Sequence, residues 1–315
     1  MVSVQFFGSD AFSVTCLRRI LPLLDSNVLS NIHVVSRPAK PSGRALAKLI
    51  EPPILEFARS KSLKWSCAET SADFEDLAKY APSLAIAVSY GRLIPAEYLR
   101  SVRYGGLNVH PSLLPSLRGA APLHHAIMRR LPFTGVSVQT LHPSKFDHGK
   151  ILWQSGQYLI SPQTTLTQLQ EDLAVVGGDG LYTVLNEQLY LGEGIESPYP
   201  ASWATVIQKS HHKLNLNSTI ADTMAQQMAL TRLYFEHSVI KNKTSYGSRT
   251  ILTDLEPMND ALFEGNVGFA DGSMVFRLYD GVIAAKTVQA AGFKEETATE
   301  YASRMKKRGI VLEPV

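Results

Sequence analysis

The sequence predicts an α/β fold: an open, mostly parallel twisted sheet followed by a small β-barrel domain. Three observations carry this. Over the first two hundred residues, short apolar runs alternate with stretches of helical periodicity. Several of those runs are apolar throughout, as strands covered on both faces require. Beyond the segment Ser197–Ser202, helical stretches thin out and short strands recur between Gly and Asp turns. The 315 residues give room for two modest domains or one large one, and for a substantial core.

Val2–Phe7 reads as the first strand, and Asp10 stands where a helix over Phe12–Leu24 needs its cap. Ile32–Val35 is a second strand. Ser36–Pro53 bears prolines and basic residues and reads as a long loop with some helix. Ile54–Ser60 and Asp73–Tyr80 read as helices, and Leu84–Val88 as a short, fully apolar strand. Gly106–Val109 is a strand, Ala121–Arg130 a helix, and Val136–Leu141 and Ile151–Ile160 two further strands. A long helix from about Leu166 to Leu191 closes this part. Ligands of such sheets bind beyond the carboxyl ends of the strands. Ser197–Ser202 (Ser-Pro-Tyr-Pro-Ala-Ser) reads as a linker, after which one helix, Ile220–Leu233, precedes strands at Thr250–Thr253, Gly265–Phe269, Ser273–Leu278 and Val282–Val288. The expected division is a catalytic domain over residues 1–196, a linker over 197–206, and a barrel over 207–315.

Composition excludes more than it selects. With 45% hydrophobic and 19% charged residues the chain is ordinary for a folded protein, and its net charge of +3 permits an anionic partner without demanding one. Cys16 and Cys67 form no C-x-x-C pair and are expected to be small buried hydrophobes. No uninterrupted apolar run is long enough to span a membrane, and because the sequence opens almost at once on a strand, no targeting peptide is expected within it. His124-His125 and His211-His212 lack ligand spacing with a carboxylate, so no metal is expected. Gly8-Ser9-Asp10 lacks the rest of a dinucleotide fingerprint. Neither a Walker A motif nor a G-x-S-x-G elbow occurs.

The segment Gly105–Pro122 carries the chemistry. Strand side chains alternate, so Asn108 and His110 project to one face and Val109 to the other. Pro111 ends the ladder there and leaves both polar groups at the strand's carboxyl end. An amide donor beside an imidazole suits a developing oxyanion: Asn donates to the oxygen, and His supplies a proton or positive charge. The Ser112-Leu113-Leu114-Pro115 loop behind them is compact and half apolar, a wall suited to a flat heterocycle. The same pair would also serve merely to satisfy backbone groups where a strand meets a loop.

Asn108-Val-His-Pro-Ser-Leu-Leu-Pro115, with Arg118-Gly-Ala-Ala-Pro122 behind it, resembles the signature of the 10-formyltetrahydrofolate-dependent formyltransferases. About forty residues on, Phe146-Asp-His-Gly-Lys-Ile151 resembles that family's Asp-x-Gly-x-Ile/Leu segment. The resemblance implies a formyltransferase-type sheet, 10-formyltetrahydrofolate as co-substrate, no metal, and Asn108, His110 and Asp147 as the catalytic residues. Phe6–Phe12 is similar to the family's first strand and turn. Ala87–Pro95 resembles the segment whose backbone lines the pterin pocket, which implies Val88, Tyr90 and Gly91 as folate contacts beside Ser112, Leu113, Leu114 and Pro115.

The resemblance extends to the acceptor. Glycinamide ribonucleotide transformylases end after a catalytic domain, whereas the branch that formylates methionyl-initiator tRNA adds a linker and a small barrel, as this chain does. That branch also carries an insertion after the second strand that grips the acceptor stem. Here it corresponds to Arg37–Lys48, which holds Arg37, Lys40, Arg44 and Lys48 and no acid. Phosphate contacts of this kind position an RNA without reading its sequence. The initiator methionyl-tRNA is therefore the expected partner, met by a monomer and no membrane. A non-tRNA acceptor, hydrolysis of the formyl donor, and an inactive tRNA- or folate-binding protein are the alternatives.

Some positions depart from the family pattern. His148 and Lys150 stand where the family more often has a small residue and an acid, and Leu230–Phe235 replaces the expected Trp-rich segment. From Trp203 onward thirteen Lys/Arg face twelve Asp/Glu, with only Lys241–Arg249 and Arg304–Arg308 locally basic. This divergence points to the mitochondrial matrix, with the bacterial cytoplasm as the alternative.

Overall fold

The chain begins with β1 (Val2–Gly8), whose last five residues are all buried, which explains an apolar run without alternation. The computed structural model describes residues 1–42, 48–241, 244–259, 263–308 and 311–314. Asp10 caps α1 (Ala11–Ile20) by accepting the Ser13 amide at 3.0 Å. The helix expected over Phe12–Leu24 is broken in two. Pro22 opens a separate short α2 (Pro22–Asp25), because proline brings no N–H to continue the ladder.

After β2 (Leu29–Ser36), the strands β3 (Lys40–Ser42) and β4 (Lys48–Ile50) pair antiparallel in a hairpin of their own, with Lys40 opposite Ile50 and Ser42 opposite Lys48. The loop with some helix expected here is thus extended on both flanks. Residues 43–47 of that expected loop lie outside the described residues.

Next come α3 (Pro53–Ser60), β5 (Lys64–Cys67), α4 (Ser71–Ala78), β6 (Leu84–Val88), α5 (Ala96–Ser101) and β7 (Gly106–His110). They are followed by α6 (Pro122–Met128), β8 (Phe133–Thr134), β9 (Ser137–Thr140), β10 (Ile151–Gln154), β11 (Tyr158–Leu159) and α7 (Leu166–Asn186). Three of these elements were not expected, β5, α5 and β8, and the single strand expected over Ile151–Ile160 is two, β10 and β11. Cys16 is buried, but Cys67 is exposed, contrary to expectation, because β5 is the edge strand of the sheet.

The main sheet runs β10-β9-β7-β6-β1-β2-β5. Its β7-β6-β1-β2-β5 portion is parallel, and β9 and β10 extend it antiparallel. The chain builds outward from β1 on one side, then crosses to β6 on the other. This is the switch in strand order at which doubly wound sheets open a crevice. One side of the sheet is packed by an aromatic cluster in which Phe7 meets Tyr90 and Tyr98 edge-on at 5.2 and 5.6 Å. The buried Gln5 is satisfied inside it, donating to the Leu77 carbonyl at 3.0 Å and accepting from the Tyr98 hydroxyl.

The chain forms two compact units. Met1–Leu123, Phe133–Leu159 and Thr167–Val206 make the first; His124–Pro132, Ile160–Leu166 and Ile207–Val315 make the second. In the first, residues 202–204 are stitched to the loop after β7: Leu117 N–H donates to Ser202 Oγ at 2.9 Å, and Ala204 N–H to the Arg118 carbonyl at 2.7 Å.

The second unit contains α8 (Ile220–Leu230), β12 (Leu233–Lys241), β13 (Thr244–Met258), β14 (Val267–Ala270), β15 (Ser273–Leu278), β16 (Gly281–Ala290), β17 (Glu296–Thr297), α9 (Ala298–Lys307) and β18 (Val311–Pro314). Helix α8 ends three residues earlier than expected. Thr231 takes φ +67°, outside helical geometry, and turns the chain into β12, a strand that was not expected and that overlaps the expected helix only at Leu233. The sheet is antiparallel throughout, in the order β14-β15-β16-β13-β12-β18 with β17 on β16. Among the described residues no ladder joins β14 to β18, so the small barrel expected here is described as an antiparallel sheet.

Candidate active site

Strand β7 alternates as its sequence requires. Val109 is buried toward the helix side, where it lies against Gly177 of α7. Asn108 and His110 share the opposite face, half-buried and buried respectively. In register, Asn108 lies beside Ala87 of β6 on one side and Gln139 of β9 on the other.

The turn between β9 and β10 brings Asp147 to this face. Its carboxylate is buried and surrounded by donors. Oδ1 accepts from Gln139 Nε2 at 3.0 Å and from Asn108 Nδ2 at 3.4 Å, and Oδ2 accepts from the Gly119 amide at 2.8 Å. Arg118 Nε donates to the Asp147 carbonyl at 2.9 Å. Asp147 itself has φ +55°, held there by these contacts. The turn also needs Gly149: a Cβ there would meet the Thr140 carbonyl oxygen at 1.7 Å.

His110 Nδ1 lies 3.4 Å from Asp147 Oδ1, and its Nε2 lies 3.0 Å from the Leu117 carbonyl. A carbonyl only accepts, so Nε2 carries a proton. Nδ1 then faces a carboxylate, and that contact is attractive when one proton lies between them. The 3.4 Å separations from Asn108 and His110 are loose, which leaves both donors able to turn to a ligand.

Asn108, His110 and Asp147 line one cavity of about 450 Å³, within the range of small-molecule sites. It lies just past the carboxyl ends of β6 and β7. One wall is the turn Ser89–Ile94, where Ser89 and Gly91 both have positive φ. The apolar residues Ile94, Leu99 and Leu141 line its interior, and His142, Lys145, Phe146 and Val206 also border it. Tyr90 contributes to the lining while its hydroxyl donates to the Ala68 carbonyl at 2.7 Å; burial pushes its pKa up to about 12.

The other expected contacts fall into three groups. Tyr90 and Gly91 line the cavity, but Val88, Ser112, Leu113, Leu114 and Pro115 do not. Val88 and Ser112–Leu114 are sealed in the interior. The 112–115 loop is clamped instead: Ser137 Oγ donates to the Ser112 carbonyl and accepts from the Leu114 amide, and Gln154 Nε2 donates to the Leu114 carbonyl at 2.7 Å. These bonds fix the loop that follows His110. Among the basic residues, Arg37 is half-buried beside Gly91, its guanidinium 3.6 Å from where a Cβ would stand. Lys40 and Lys48 are exposed on the β3–β4 hairpin. Arg44 lies outside the described residues.

Sequence reasoning missed Gln139 and assigned no role to Arg118 and Gly119. Gln139 is 1% exposed and bridges the site, donating to Asp147 and accepting the Gly149 amide at 3.1 Å. Its signal was the one amide in the Val136–Leu141 run, whose other polar residues are the hydroxyls Ser137 and Thr140. Among the described residues no group of three or more His, Cys, Asp and Glu could hold a metal ion. No described helix is long and apolar enough to cross a membrane.

A doubly wound sheet with an Asn/His/Asp cluster beyond the carboxyl ends of β6 and β7 defines the class, and comparison with known proteins defines the family. Residues 3–185 match the formyl transferase family model, and the chain belongs to that family. It is similar to the mitochondrial methionyl-tRNA formyltransferase of Saccharomyces cerevisiae, 29% identical, over 98% of this chain and 90% of that protein. It is likewise similar to the methionyl-tRNA formyltransferase of Ehrlichia canis, 31% identical, over 92% of this chain and 93% of that one. The fold matches a solved Helicobacter canadensis N-formyltransferase in complex with folinic acid and dTDP-3-aminofucose. The TM-score is 0.59 at 15% identity, covering 90% of this chain and 99% of that structure.

Proposed function

We propose that this formyltransferase moves the formyl group of 10-formyltetrahydrofolate onto the amino group of methionyl-initiator tRNA, with Asn108, His110 and Asp147 as its catalytic residues. The observation that carries the chemistry is the convergence of Asn108 Nδ2 and His110 Nδ1 on Asp147 Oδ1 at the mouth of a cavity suited to a flat heterocycle. Relatives named for this activity that match nearly the whole chain support the acceptor.

The folate donor supplies the formyl carbon. The apolar interior and the backbone of Ser89–Leu93 would hold its ring, as their size and polarity allow. Asn108 Nδ2 donates to the formyl oxygen as negative charge develops there, and protonated His110 adds positive charge beside it. Asp147 holds the proton on His110 Nδ1 and orients that ring; it accepts a proton released by the attacking amine and passes it toward the leaving nitrogen. The basic hairpin with Lys40 and Lys48, and with Arg37 at its base, meets phosphates of the acceptor stem. The reading places the protein in the mitochondrial matrix, a choice supported by a yeast relative named as mitochondrial, and requires no metal and no second copy.

The test supplies 10-formyltetrahydrofolate with charged initiator tRNA, with free amines, or alone. Formyl-methionyl-tRNA as the dominant product supports the reading. Release of formate without acceptor would identify a hydrolase, and no turnover a binding protein.

A further inference from the structure

Beside the Asp147 turn, three aromatic rings continue outward from the cavity. His148 follows Asp147 directly, and its Nδ1 lies 2.5 Å from the Phe146 carbonyl, which fixes the ring. Its centroid is 5.7 Å from the Trp203 indole at 38°, and 6.4 Å from His142 on its other side. Trp203 is tied to the same turn through the backbone: it bridges Arg118, whose guanidinium holds the Asp147 carbonyl. Both sides of the ring pair are therefore anchored to the residue at the centre of the site.

These rings do not form a core. Trp203 is 57% exposed and Phe146 58%, and Val206, at 64%, lines the cavity as Phe146 does. Single exposed apolar residues are ordinary, but a contiguous exposed patch at the rim of a reactive cavity marks a binding surface.

We propose that Trp203 and His148, with Phe146 on the cavity side, form the seat for the terminal nucleobase of the acceptor. The inference rests on the RNA-acceptor reading above and deepens it. In an aminoacyl-RNA, an α-carbon, an ester and a ribose separate the reacting amine from the base. With the amine at Asn108 and Asp147, the base must therefore lie outside the cavity, at its rim. The ring pair occupies that rim, one residue beyond Asp147. A flat π surface suits any base, and Lys145 beside it supplies positive charge for the neighbouring phosphate. Seated there, the base fixes the ribose and hence the angle at which the amine enters.

The experiment pairs enzyme variants with acceptor variants. Charged initiator tRNA ending in adenosine is compared with the same RNA bearing an abasic terminal ribose, using wild type, Trp203→Ala, Trp203→Phe and His148→Ala. The expected result is a drop of about tenfold in kcat/KM for Trp203→Ala on the adenosine-ended acceptor, carried mainly by KM. The drop shrinks toward unity on the abasic acceptor, because the lost partner is already missing, and Trp203→Phe recovers most of it. His148→Ala follows the same pattern with a smaller loss. Equal losses on both acceptors, or none on either, would overturn the proposal.

Fluorescence covers the case of a misfolded alanine variant. Adding uncharged acceptor RNA should quench the wild type's tryptophan emission and leave Trp203→Phe unquenched; equal quenching in both overturns the seat. Failure of the wild type to formylate either charged RNA, while still consuming the donor, would sink the acceptor reading itself and the seat with it.

Discussion

Both carboxylate oxygens of Asp147 act as acceptors, Oδ1 from Asn108 and Gln139 and Oδ2 from the Gly119 amide. Asp147→Asn is therefore not a silent isostere: whichever way the new amide turns, its NH2 meets a donor. Such a buried mismatch costs about 1–3 kcal/mol, so this variant should lose stability along with turnover. Asn108→Ala is the cleaner probe. Asp147 keeps Gln139, Gly119 and His110, so the melting temperature should stay near wild type while kcat falls on the order of 10²-fold or more, as expected for one lost oxyanion donor. Steady-state formylation with a parallel thermal melt checks both variants. Near-normal kcat in folded Asn108→Ala would remove Asn108 from the mechanism.

Two elements carry the site and its approach, the β9–β10 turn and the β3–β4 hairpin. In the turn, Gly149 packs against the Thr140 backbone, and the pair is locked by Thr140 N–H to the Lys150 carbonyl at 2.8 Å. Gly149→Ala must push these strands apart, at a cost of at least about 2 kcal/mol and with loss of the Asp147 geometry. Gly156→Ala, with nothing within 4 Å of the new methyl, should be tolerated. Denaturant midpoints of the two variants decide the point, and equal midpoints would refute the close-packing argument. On the hairpin, Lys40→Ala/Lys48→Ala should raise KM for charged tRNA, leave kcat near wild type, and flatten log(kcat/KM) against log[salt] by about 1.5. An unchanged slope would mean that these lysines meet no phosphate.

The same elements show what the sequence made legible. The alternation of β7 put Asn108 and His110 on one face, and the apolar continuity of β6 announced a strand covered on both sides. Strand β5 and helix α5 escaped notice because β5 lies at an edge with mostly exposed residues and α5 spans only six residues. The clamping of the 112–115 loop was not legible, because Ser137 and Gln154 reach it from β9 and β10. Gln139 reaches Asp147 only through the pairing of β7 with β9, a register that no local pattern encodes.

Across the whole molecule, each unit buries an imidazole that must remain neutral. In the first, His33 is 4% exposed; its Nε2 lies 3.0 Å from Ser66 Oγ, and its Nδ1 has no hydrogen-bond partner. Burial, with Lys64 nearby, lowers its pKa from 6.5 to about 4. In the second, His237 is 1% exposed. Its Nε2 lies 2.9 Å from Thr250 Oγ1, which in turn lies 3.1 Å from the Tyr301 hydroxyl, and burial again lowers the pKa. A depressed histidine pKa means that the unfolded chain binds the proton more readily. Stability from these groups is therefore complete above about pH 6.5 and is lost as pH falls, toward about 4 for His33. Denaturant midpoints should accordingly fall between pH 7.5 and pH 5. The substitutions His33→Gln and His237→Gln each lower the midpoint at neutral pH, where a packed ring and its hydrogen bond are lost. The decisive quantity is the slope, not the level: each variant should depend less steeply on pH than wild type over that interval, because one group no longer takes up a proton on unfolding. Slopes parallel to wild type in both variants would show that neither imidazole is held neutral by its surroundings.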